Sequence, residues 1–291
     1  YGIREDGGLV NLENDEWMIA MANSFGTKNL MHLSTLTEAG NFSNERANLV
    51  FTNENIQSKL INETIGNMER KGYDGLDIDF EFIYPEDRYD YVIFLQNMYK
   101  AINPLGYPLF SALAPKVSDT QQGTLYEGHD YGAIASSVDK VLLMTYEWGY
   151  TYGEPMAVAP VDKIRRVFDY AVTAIPSEKI NMGIPNYGYD WALPYEKDVT
   201  KAETIGNAQA VQIAVENNAE ILFDEVGQTP YFRYTKDGVD HEVWFEDARS
   251  IKAKIELLYE YNLRGASFWQ IMRLFRANWL LVDYNLKVDK L

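Results

Sequence analysis

The chain has 291 residues, and its 46% hydrophobic and 14% aromatic content can fill a sizeable core, so a disordered chain is not expected. The formal net charge of −17, with no run of Lys or Arg longer than two, disfavours nucleic acid as a partner. The absence of cysteine excludes disulfides, thiol catalysis and thiolate metal sites, and no apolar run approaches the roughly 20 residues of a membrane span, so we expect no membrane partner.

Strand signals alternate with helical patterns along most of the chain. In chain order, the predicted strands lie at 29–36, 75–82, 107–115, 138–148, 179–189 and 263–271. The predicted helices lie at 53–71, 87–102, 161–173 and 247–261. Alternating units of this kind predict an α/β fold in which helices cover a parallel sheet, and a TIM (β/α)8 barrel is the architecture that we expect.

Two regions depart from this rhythm. Six strands are clear, and an eight-stranded barrel needs two more. Residues 1–3 are interpreted as the tail of another strand. On this interpretation we expect the chain to lack most of its first two strands. Residues 203–221 are predicted to form one helix, and 229–245 a hairpin with a turn at Asp237 and Gly238. We therefore predict a barrel formed by 1–194 and 246–291, with a small α+β insertion at 195–245.

The strand predicted at 75–82 carries charge on one side only. Its even-numbered positions are apolar, whereas its odd-numbered positions include Asp77, Asp79 and Glu81, which share a face at a spacing of ~6.6 Å. Inside a barrel, three carboxylates cannot all ionise without cost, so we expect at least one pKa to rise. Glu81 comes last, at the carboxyl end where barrel active sites open, and a carboxylic acid with a raised pKa suits general acid catalysis.

This strand has two alternative interpretations. A solvated edge strand shows the same alternation, but the bulky apolar face and the position within a βα series favour a buried strand. Carboxylates also bind hard divalent cations, but the other strand ends offer no second cluster of acids and no paired histidines. We expect no metal and no cofactor.

The acidic segment resembles a known family signature. Residues 74–81 read D-G-L-D-I-D-F-E and match the D-G-x-D-x-D-x-E motif of glycoside hydrolase family 18, the chitinase family. Further similar segments follow in the right order: M-T-Y-E at 144–147, G-I-P-N-Y-G at 183–188 with Trp191, and Trp269 at the end of the last predicted strand. Stretches such as ALAPKVS and LYEGHDYGAIA resemble the spore peptidoglycan hydrolases of this family, of the cortical fragment-lytic N-acetylglucosaminidase type.

The sequence also departs from common family patterns. The S-x-G-G motif of chitinases is absent at 33–36, as it is in the spore-type subgroup, which argues against a typical chitinase cleft. After Trp269 the chain continues with Q-I-M-R instead of a Gly-Leu-Pro-type loop, beside the expected sugar-binding floor.

The resemblance implies a retaining reaction in which the substrate's own acetamido oxygen attacks the anomeric carbon. By this resemblance, Glu81 transfers the proton and Asp79 orients the acetamido group. Asp77 is expected to share a proton with Asp79. Tyr146 is expected to hydrogen-bond the acetamido carbonyl. The expected substrate-binding residues are Asp74, Glu147, Trp148, Tyr187, Trp191 and Trp269.

Aromatic packing in a core is the alternative role for the tryptophans, and we favour it for Trp244. For His129 we expect a surface or supporting position and not a catalytic one, and for His32 and His241 a structural role.

The resemblance favours cleavage of β-1,4 bonds after N-acetylglucosamine in bacterial spore-cortex peptidoglycan, outside the cell, at the cell wall or spore surface. Chitin oligomers or N-glycan cores are the alternative substrates. An inactive carbohydrate-binding barrel and a structural coat protein are the alternatives from other classes, although inactive relatives usually replace the acid at the Glu81 position. We expect a monomer, and relatives of this type commonly carry lysin-motif domains before the barrel.

Overall fold

The computed structural model describes residues 1–288 and divides them into two compact units. The first unit contains Tyr1–Leu143 and Tyr170–Ile180, and the second contains Met144–Asp169 and Asn181–Val288. The strands are β1 (Gly2–Ile3), β2 (Leu9–Val10), β3 (Leu30–Ser34), β4 (Gly75–Asp79), β5 (Leu109–Leu113), β6 (Lys140–Leu143), β7 (Ile180–Pro185), β8 (Gly188–Ala192), β9 (Glu203–Ile205), β10 (Leu222–Asp224), β11 (Thr229–Lys236), β12 (Val239–Trp244) and β13 (Gly265–Trp269). The helices are α1 (Glu16–Ser24), α2 (Asn44–Thr52), α3 (Glu54–Lys71), α4 (Arg88–Ile102), α5 (Tyr131–Ser137), α6 (Val161–Ala174), α7 (Asn207–Glu216), α8 (Ala248–Glu260) and α9 (Arg276–Asn285).

In the first unit, β3, β4, β5 and β6 lie side by side in that order, and all are parallel. The apolar face of β4 is buried, as predicted. Phe80, directly after β4, stacks on Tyr91 and Phe94 of α4, with ring centroids 5.8 and 5.4 Å apart. Burial of a large apolar side chain stabilises a fold by ~1.5–3 kcal/mol, so this stacking fixes the carboxyl end of β4 against its helix.

Local signals explain why α3 ends just before β4. The helix is preceded by Asn53, whose side chain accepts hydrogen bonds from the backbone of Asn55 and Ile56. It is followed by Gly72 in the left-handed conformation (φ 79°), whose N–H donates to the carbonyl of Met68. Glycine adopts this conformation without a Cβ clash, so the chain can turn sharply into β4.

The first residues run alongside β3. The Tyr1 nitrogen donates to the carbonyl of His32 at 2.7 Å, and the Ser34 nitrogen donates to the carbonyl of Tyr1 at 2.9 Å. The Ile3 nitrogen continues this pattern to the carbonyl of Leu36 at 2.8 Å. The interpretation of residues 1–3 as part of a strand is confirmed, and the expectation about the first two barrel strands stays a prediction.

In the second unit, β7 and β13 pair in parallel, and a separate antiparallel sheet has the order β10-β11-β12-β8-β9. The hairpin predicted at 229–245 is confirmed, with Asp237 and Gly238 at its turn in left-handed conformations (φ 52° and 80°). The insertion predicted at 195–245 holds most of this sheet, but β8 pairs with β12 and lies before that range. The boundaries of the insertion as a domain stay a prediction.

Several sequence-based boundaries differ from the structure. The strand predicted at 138–148 ends at Leu143, and the one predicted at 179–189 divides into β7 and β8. The division falls at Asn186, whose nitrogen still donates to the carbonyl of Trp269 at the end of β13. The helix predicted at 203–221 is the strand β9 followed by α7. Among residues 1–288, no helix is long and apolar enough to cross a membrane.

Candidate active site

The predicted carboxylate row lies at the end of β4 in the first unit. Asp77 and Asp79 belong to the strand, and Glu81 follows it by two residues. In the register with β3, Asp77 is opposite His32 and Asp79 is opposite Ser34. Residues opposite each other in neighbouring parallel strands share a face, so these polar side chains form one group on the face opposite to α4.

His32 contacts two of the three carboxylates. Its Nδ1 lies 2.8 Å from Oδ2 of Asp77, and its Nε2 lies 3.5 Å from Oδ2 of Asp79. Burial by itself lowers the pKa of His32, but hydrogen bonds and attraction to Asp77 and Asp79 outweigh that effect and raise the pKa to about 10. His32 therefore contacts the predicted carboxylate row with 46% of its side chain exposed, and its structural role stays a prediction. Its alternation with Ser34 in the strand at 29–36 is the signal that could have identified it.

Asp79 has an oxygen available for a ligand. The residue is 9% exposed, and among the described residues its Oδ1 has no hydrogen-bond partner. The hydroxyl oxygen of Ser34, its register neighbour, is also buried without a partner. Buried acceptors are rarely left unsatisfied, so this pair of atoms indicates a place where a polar ligand group binds.

His129 supports the same strand end from behind. The ring is completely buried, its Nδ1 accepts from the Ala114 nitrogen at 3.0 Å, and its Nε2 lies 2.9 Å from the carbonyl oxygen of Phe80. Because Nδ1 accepts, Nε2 carries the proton and donates it to Phe80. Burial lowers the pKa of His129 to about 4. Of the two positions expected for His129, the structure contradicts the surface one and agrees with the supporting one.

The loop after β5 is fixed around His129 by buried charge. The Lys116 side chain is fully buried, and its Nζ donates to the carbonyl of His129 at 2.8 Å and to that of Asp119 at 3.2 Å. Arg88 contacts the carboxylates of Asp119 and Asp130 at 2.5 and 2.9 Å. These contacts connect the loop to the start of α4 and hold the histidine in place.

Asp74 lies at the other end of β4. It precedes the strand, accepts a hydrogen bond from the Asn29 nitrogen at 2.8 Å, and donates its own N–H to the carbonyl of Asn29 at 2.7 Å. Asp74 and Glu81 are seven positions apart, about 23 Å at the ~3.3 Å rise of a strand. These contacts give Asp74 a structural role at the start of β3, and its predicted contact with substrate stays a prediction.

The second unit contains a cavity of about 280 Å³ lined by Glu147, Tyr187, Tyr189, Thr204, Trp269 and Gln270. Three of the predicted substrate-binding residues thus come together around one cavity. Tyr189, Thr204 and Gln270 were missed, because they lie in segments whose pairing only the fold shows. Trp269 ends β13 with 53% of its surface exposed, and the peptide bond that follows it is cis.

Glu147 is held by two tyrosines. The Tyr187 hydroxyl donates to Oε1 of Glu147, and the Tyr189 hydroxyl lies 3.0 and 3.1 Å from its two oxygens. Partial burial raises the pKa of Glu147, while the two hydroxyls oppose that shift. Glu147 also adopts a left-handed backbone (φ 65°), which is costly for a residue with a Cβ and is typical of functional sites.

The remaining aromatic residues differ in exposure. Tyr146 is half-buried and packs against the cluster that contains Tyr187 and Trp191. Trp191 is completely buried, and its indole N–H donates to the carbonyl of Gly153 at 2.8 Å. With no open face it cannot stack on a sugar, so its predicted role is corrected to support of the core. Trp148 is half-buried, and the half-buried Trp244 stacks on Tyr231 at 4.6 Å, in line with the packing role expected for it.

Within residues 1–288, no group of three or more His, Asp and Glu side chains is arranged to hold a metal ion. The chemistry that these side chains can supply is proton transfer, charge stabilisation and hydrogen bonding to a polar ligand.

Comparison with known proteins identifies the family. The model for glycosyl hydrolases family 18 matches residues 16–273, and the chain belongs to this family. Solved structures of similar proteins superpose on nearly the whole chain, which confirms the TIM-barrel class predicted from the sequence.

Among the relatives, the cortical fragment-lytic enzyme of Bacillus subtilis (strain 168) is 45% identical over 262 residues, which cover 90% of this chain and 61% of that protein. The crystal structure of the Bacillus megaterium QM B1551 spore cortex-lytic enzyme SleL has a TM-score of 0.95 and 38% identity, and the match covers 100% of this chain and 67% of that one. The chitinase from Chromobacterium violaceum ATCC 12472 has a TM-score of 0.91 and 25% identity, with 99% and 90% covered. The chain spans about three fifths of the length of the cortical fragment-lytic enzymes of Bacillus subtilis, Bacillus anthracis and Bacillus cereus.

Proposed function

We propose that this chain is a retaining glycosidase that cleaves the β-1,4 bond after N-acetylglucosamine in spore-cortex peptidoglycan. The observation that carries the proposal is the carboxylate row, in which Asp77, Asp79 and Glu81 occupy alternate positions through the carboxyl end of β4. The 45% identity to a cortical fragment-lytic enzyme supports the class of substrate.

The proposed reaction uses no nucleophile from the protein. The acetamido carbonyl oxygen attacks the anomeric carbon, the glycosidic C–O bond breaks, and Glu81 gives its proton to the leaving oxygen. Water then attacks the anomeric carbon of the oxazolinium ion, the bond to the acetamido oxygen breaks, and the proton of the water returns to Glu81. Glu81 ends the cycle as it began, and general acid–base catalysis of this kind contributes ~10²–10⁴-fold to the rate.

The other residues receive binding roles in this proposal. The unpartnered oxygen of Asp79 accepts the acetamido N–H, which turns the carbonyl oxygen toward the anomeric carbon. Tyr146 donates to the acetamido carbonyl, and Glu147 binds a sugar hydroxyl. Trp269, exposed at the edge of the cavity of the second unit, offers its face to an apolar sugar surface.

Hydrolysis of chitin oligomers is the second candidate function. The structural similarity to the Chromobacterium violaceum chitinase favours it, because that match covers 90% of the chitinase chain. Both substrates present an N-acetylglucosamine on the non-reducing side of the bond, so the same carboxylates would act on either.

The two candidates are separated by their products. The protein is incubated with purified cortex fragments and, in parallel, with chitin oligomers, and the new reducing ends are identified by mass spectrometry. We expect N-acetylglucosamine at the new reducing end of the cortex fragments and no release by Glu81→Gln. Muramic acid or its lactam at that position would contradict the glucosaminidase, and release from chitin alone would favour the second candidate.

The setting of the proposed activity follows from the relatives. We propose action outside the cell, at the cell wall or spore surface, because the matched enzymes are named for spore cortex. A monomeric state, and lysin-motif domains in a longer parent chain, stay predictions. Light scattering coupled to size-exclusion chromatography would test the first.

A further inference from the structure

We propose that Asn186 is a positioning residue for sugar binding, which fixes the segment 269–273 so that Trp269 and Gln270 form one wall of the cavity in the second unit. The inference rests on the proposed function, because it deepens the role of Trp269 in holding the sugar. Asn186 lies directly after β7 and is completely buried, so it acts on a sugar only through the residues that it holds.

Asn186 donates hydrogen bonds to three carbonyl groups of the segment 269–273. Its backbone N–H donates to the carbonyl of Trp269 at 2.7 Å. Its side-chain Nδ2 donates to the carbonyl of Gln270 at 3.0 Å and to that of Arg273 at 2.6 Å. A side-chain amide nitrogen has two N–H groups, so both donors of Nδ2 are used on this one segment.

The oxygen of the same side chain is held by two other asparagines. Oδ1 of Asn186 accepts from Nδ2 of Asn278 at 2.7 Å and from Nδ2 of Asn207 at 3.4 Å. Asn207 in turn accepts from the backbone nitrogen of Glu246 at 2.9 Å. All three asparagines are buried, with at most 1% of the surface of each exposed. Unmade hydrogen bonds are costly at buried sites, so this network fixes the orientation of the Asn186 amide.

The segment that Asn186 holds contributes directly to the cavity. Trp269 and Gln270 line the cavity together with Thr204. At the other end of the segment, Nη2 of Arg273 donates to the carbonyl of Thr204 at 3.1 Å. The segment is thus tied to β9 at its end, while Asn186 fixes its backbone from Trp269 onward.

Gln270 gives this wall a polar group for the sugar. Its Oε1 is buried and has no hydrogen-bond partner within residues 1–288. Buried acceptors rarely stay unsatisfied, so we expect a sugar hydroxyl or amide N–H to bind there. Trp269 supplies an apolar face next to it in the chain. A shift of the segment would displace both contacts at once and weaken sugar binding, without changing the carboxylates of β4.

Asn186→Asp tests the positioning without any substrate. The carboxylate keeps the size of the side chain and its acceptor contacts, but it cannot donate to the carbonyls of Gln270 and Arg273. The full chain is labelled with fluorotryptophan, and the ¹⁹F resonance of Trp269 is assigned from Trp269→Phe. We expect this resonance to shift or broaden in Asn186→Asp. An unchanged Trp269 resonance in a folded Asn186→Asp would overturn the inference.

Asn67→Asp is the matched control for the loss of a buried amide. Asn67 is also buried, but its Nδ2 donates to Sδ of Met31 in the first unit, at 3.4 Å. We expect the Trp269 resonance to stay unchanged in this variant. Equal changes in Asn67→Asp and Asn186→Asp would overturn the inference, because they would show a general effect on folding.

Binding supplies the second test, by calorimetry with a trimer of N-acetylglucosamine in the Glu81→Gln background, which prevents turnover. We expect Asn186→Asp to raise the Kd by roughly tenfold. The double variant Asn186→Asp, Trp269→Ala should lose less than the product of the two single losses, because Asn186 acts through the segment that carries Trp269. Single losses that multiply in full would overturn the inference.

Kinetics of the active protein show whether the effect is confined to binding. Asn186→Asp should raise KM by roughly tenfold and leave kcat nearly unchanged, because the lost contacts hold the sugar and do not transfer the proton. A fall in kcat at an unchanged KM would overturn the inference.

The tests separate the inference from the proposed function. An unmodified protein that cleaves no glycan contradicts the proposed function, while the Trp269 resonance in Asn186→Asp still decides whether Asn186 holds the segment. An active protein in which Asn186→Asp binds the trimer without loss contradicts the inference alone. If Asn186→Asp fails to fold, Asn278→Ala replaces it, because it removes a donor that orients the Asn186 amide. An unchanged Trp269 resonance in Asn278→Ala would then overturn the inference.

Discussion

His129 donates a hydrogen bond from its Nε2 to the carbonyl oxygen of Phe80, 2.9 Å away, at the residue between Asp79 and Glu81. The same ring accepts from the backbone of Ala114, so it connects the carboxyl ends of β4 and β5. The backbone between the two carboxylates is thus fixed by a side chain whose two ring nitrogens both bond to backbone groups.

The buried state of His129 predicts a dependence of stability on pH. Its pKa is lowered to about 4 in the folded protein, against about 6.5 when unfolded. Below pH 6.5, His129 therefore binds a proton in the unfolded chain but not in the folded protein. The contribution of His129 to the free energy of unfolding is complete above pH 6.5 and is lost as the pH falls toward 4. The loss attributable to this group is about 3 kcal/mol.

Urea unfolding of the unmodified protein and of His129→Gln, between pH 7 and pH 4.5, measures this contribution. At pH 7 we expect His129→Gln to be less stable by roughly 1–3 kcal/mol, because a buried hydrogen-bonded group is replaced imperfectly. The difference should shrink on acidification. Parallel curves for the two proteins would contradict the assignment of a neutral, buried His129.

Glu81→Gln should keep the fold and lose turnover. The amide is close in size to the carboxylic acid, but it cannot deliver or recover a proton. We expect kcat to fall by ~10²–10⁴-fold, with an unchanged melting temperature, in an assay on cortex fragments. Glu86→Gln is a suitable control, since Glu86 is exposed in the loop that follows. A rate near that of the unmodified protein would remove Glu81 from the mechanism.

The sequence was sufficient for β4 and for the two helices that flank it in the chain. The alternation of apolar and acidic residues in 75–82 predicted which face of β4 packs against a helix, and Phe80 confirms it. The helices before and after β4 were predicted to within one residue at their starts, because a cap at Asn53 and an apolar period of 3.6 are local signals. The carboxylate row followed from the same local pattern.

What the sequence could not show depends on pairing between distant segments. His32 and Asp77 are 45 positions apart, and only the register of β3 with β4 brings them together. Trp191 matched a family motif, yet the pairing of β8 with β12 contributes to its burial in the core of the second unit. The helix α1 was not predicted, and it leaves Trp17, Met18 and Met21 exposed.

Asp74→Ala tests the structural role of Asp74 against its predicted contact with substrate. The change removes the acceptor for the Asn29 nitrogen and should lower the free energy of unfolding by roughly 1 kcal/mol. The kcat/KM should stay within a factor of two of the unmodified value, because Asp74 lies at the end of β4 away from Glu81. A tenfold loss of kcat/KM without loss of stability would restore the predicted contact with substrate.

The tyrosines around Glu147 are expected to act through its carboxylate. In Tyr189→Phe, Glu147 loses the hydroxyl that contacts both of its carboxylate oxygens. The pKa of Glu147 should therefore rise further. Hydrogen bonds to charged groups contribute ~1.5–3 kcal/mol, so kcat/KM should fall by roughly 10–100-fold. Tyr195→Phe is the matched control, because its hydroxyl donates only to the carbonyl of Tyr152 at the surface. Equal losses in both variants would indicate a general effect on folding.

Trp269 and Trp191 offer a contrast between binding and packing. Trp269 is half exposed beside the cavity, so Trp269→Ala should raise KM by up to about tenfold, with little effect on the melting temperature. Trp191 is completely buried and hydrogen-bonded, so Trp191→Phe should lower the melting temperature through a cavity and an unpaired carbonyl of Gly153. Steady-state kinetics and thermal unfolding of both variants, each measured in the same buffer, test the pair. A rise in KM confined to Trp191→Phe would reverse the two roles, because it would show that the buried indole, and not the exposed one, determines how tightly the sugar is held.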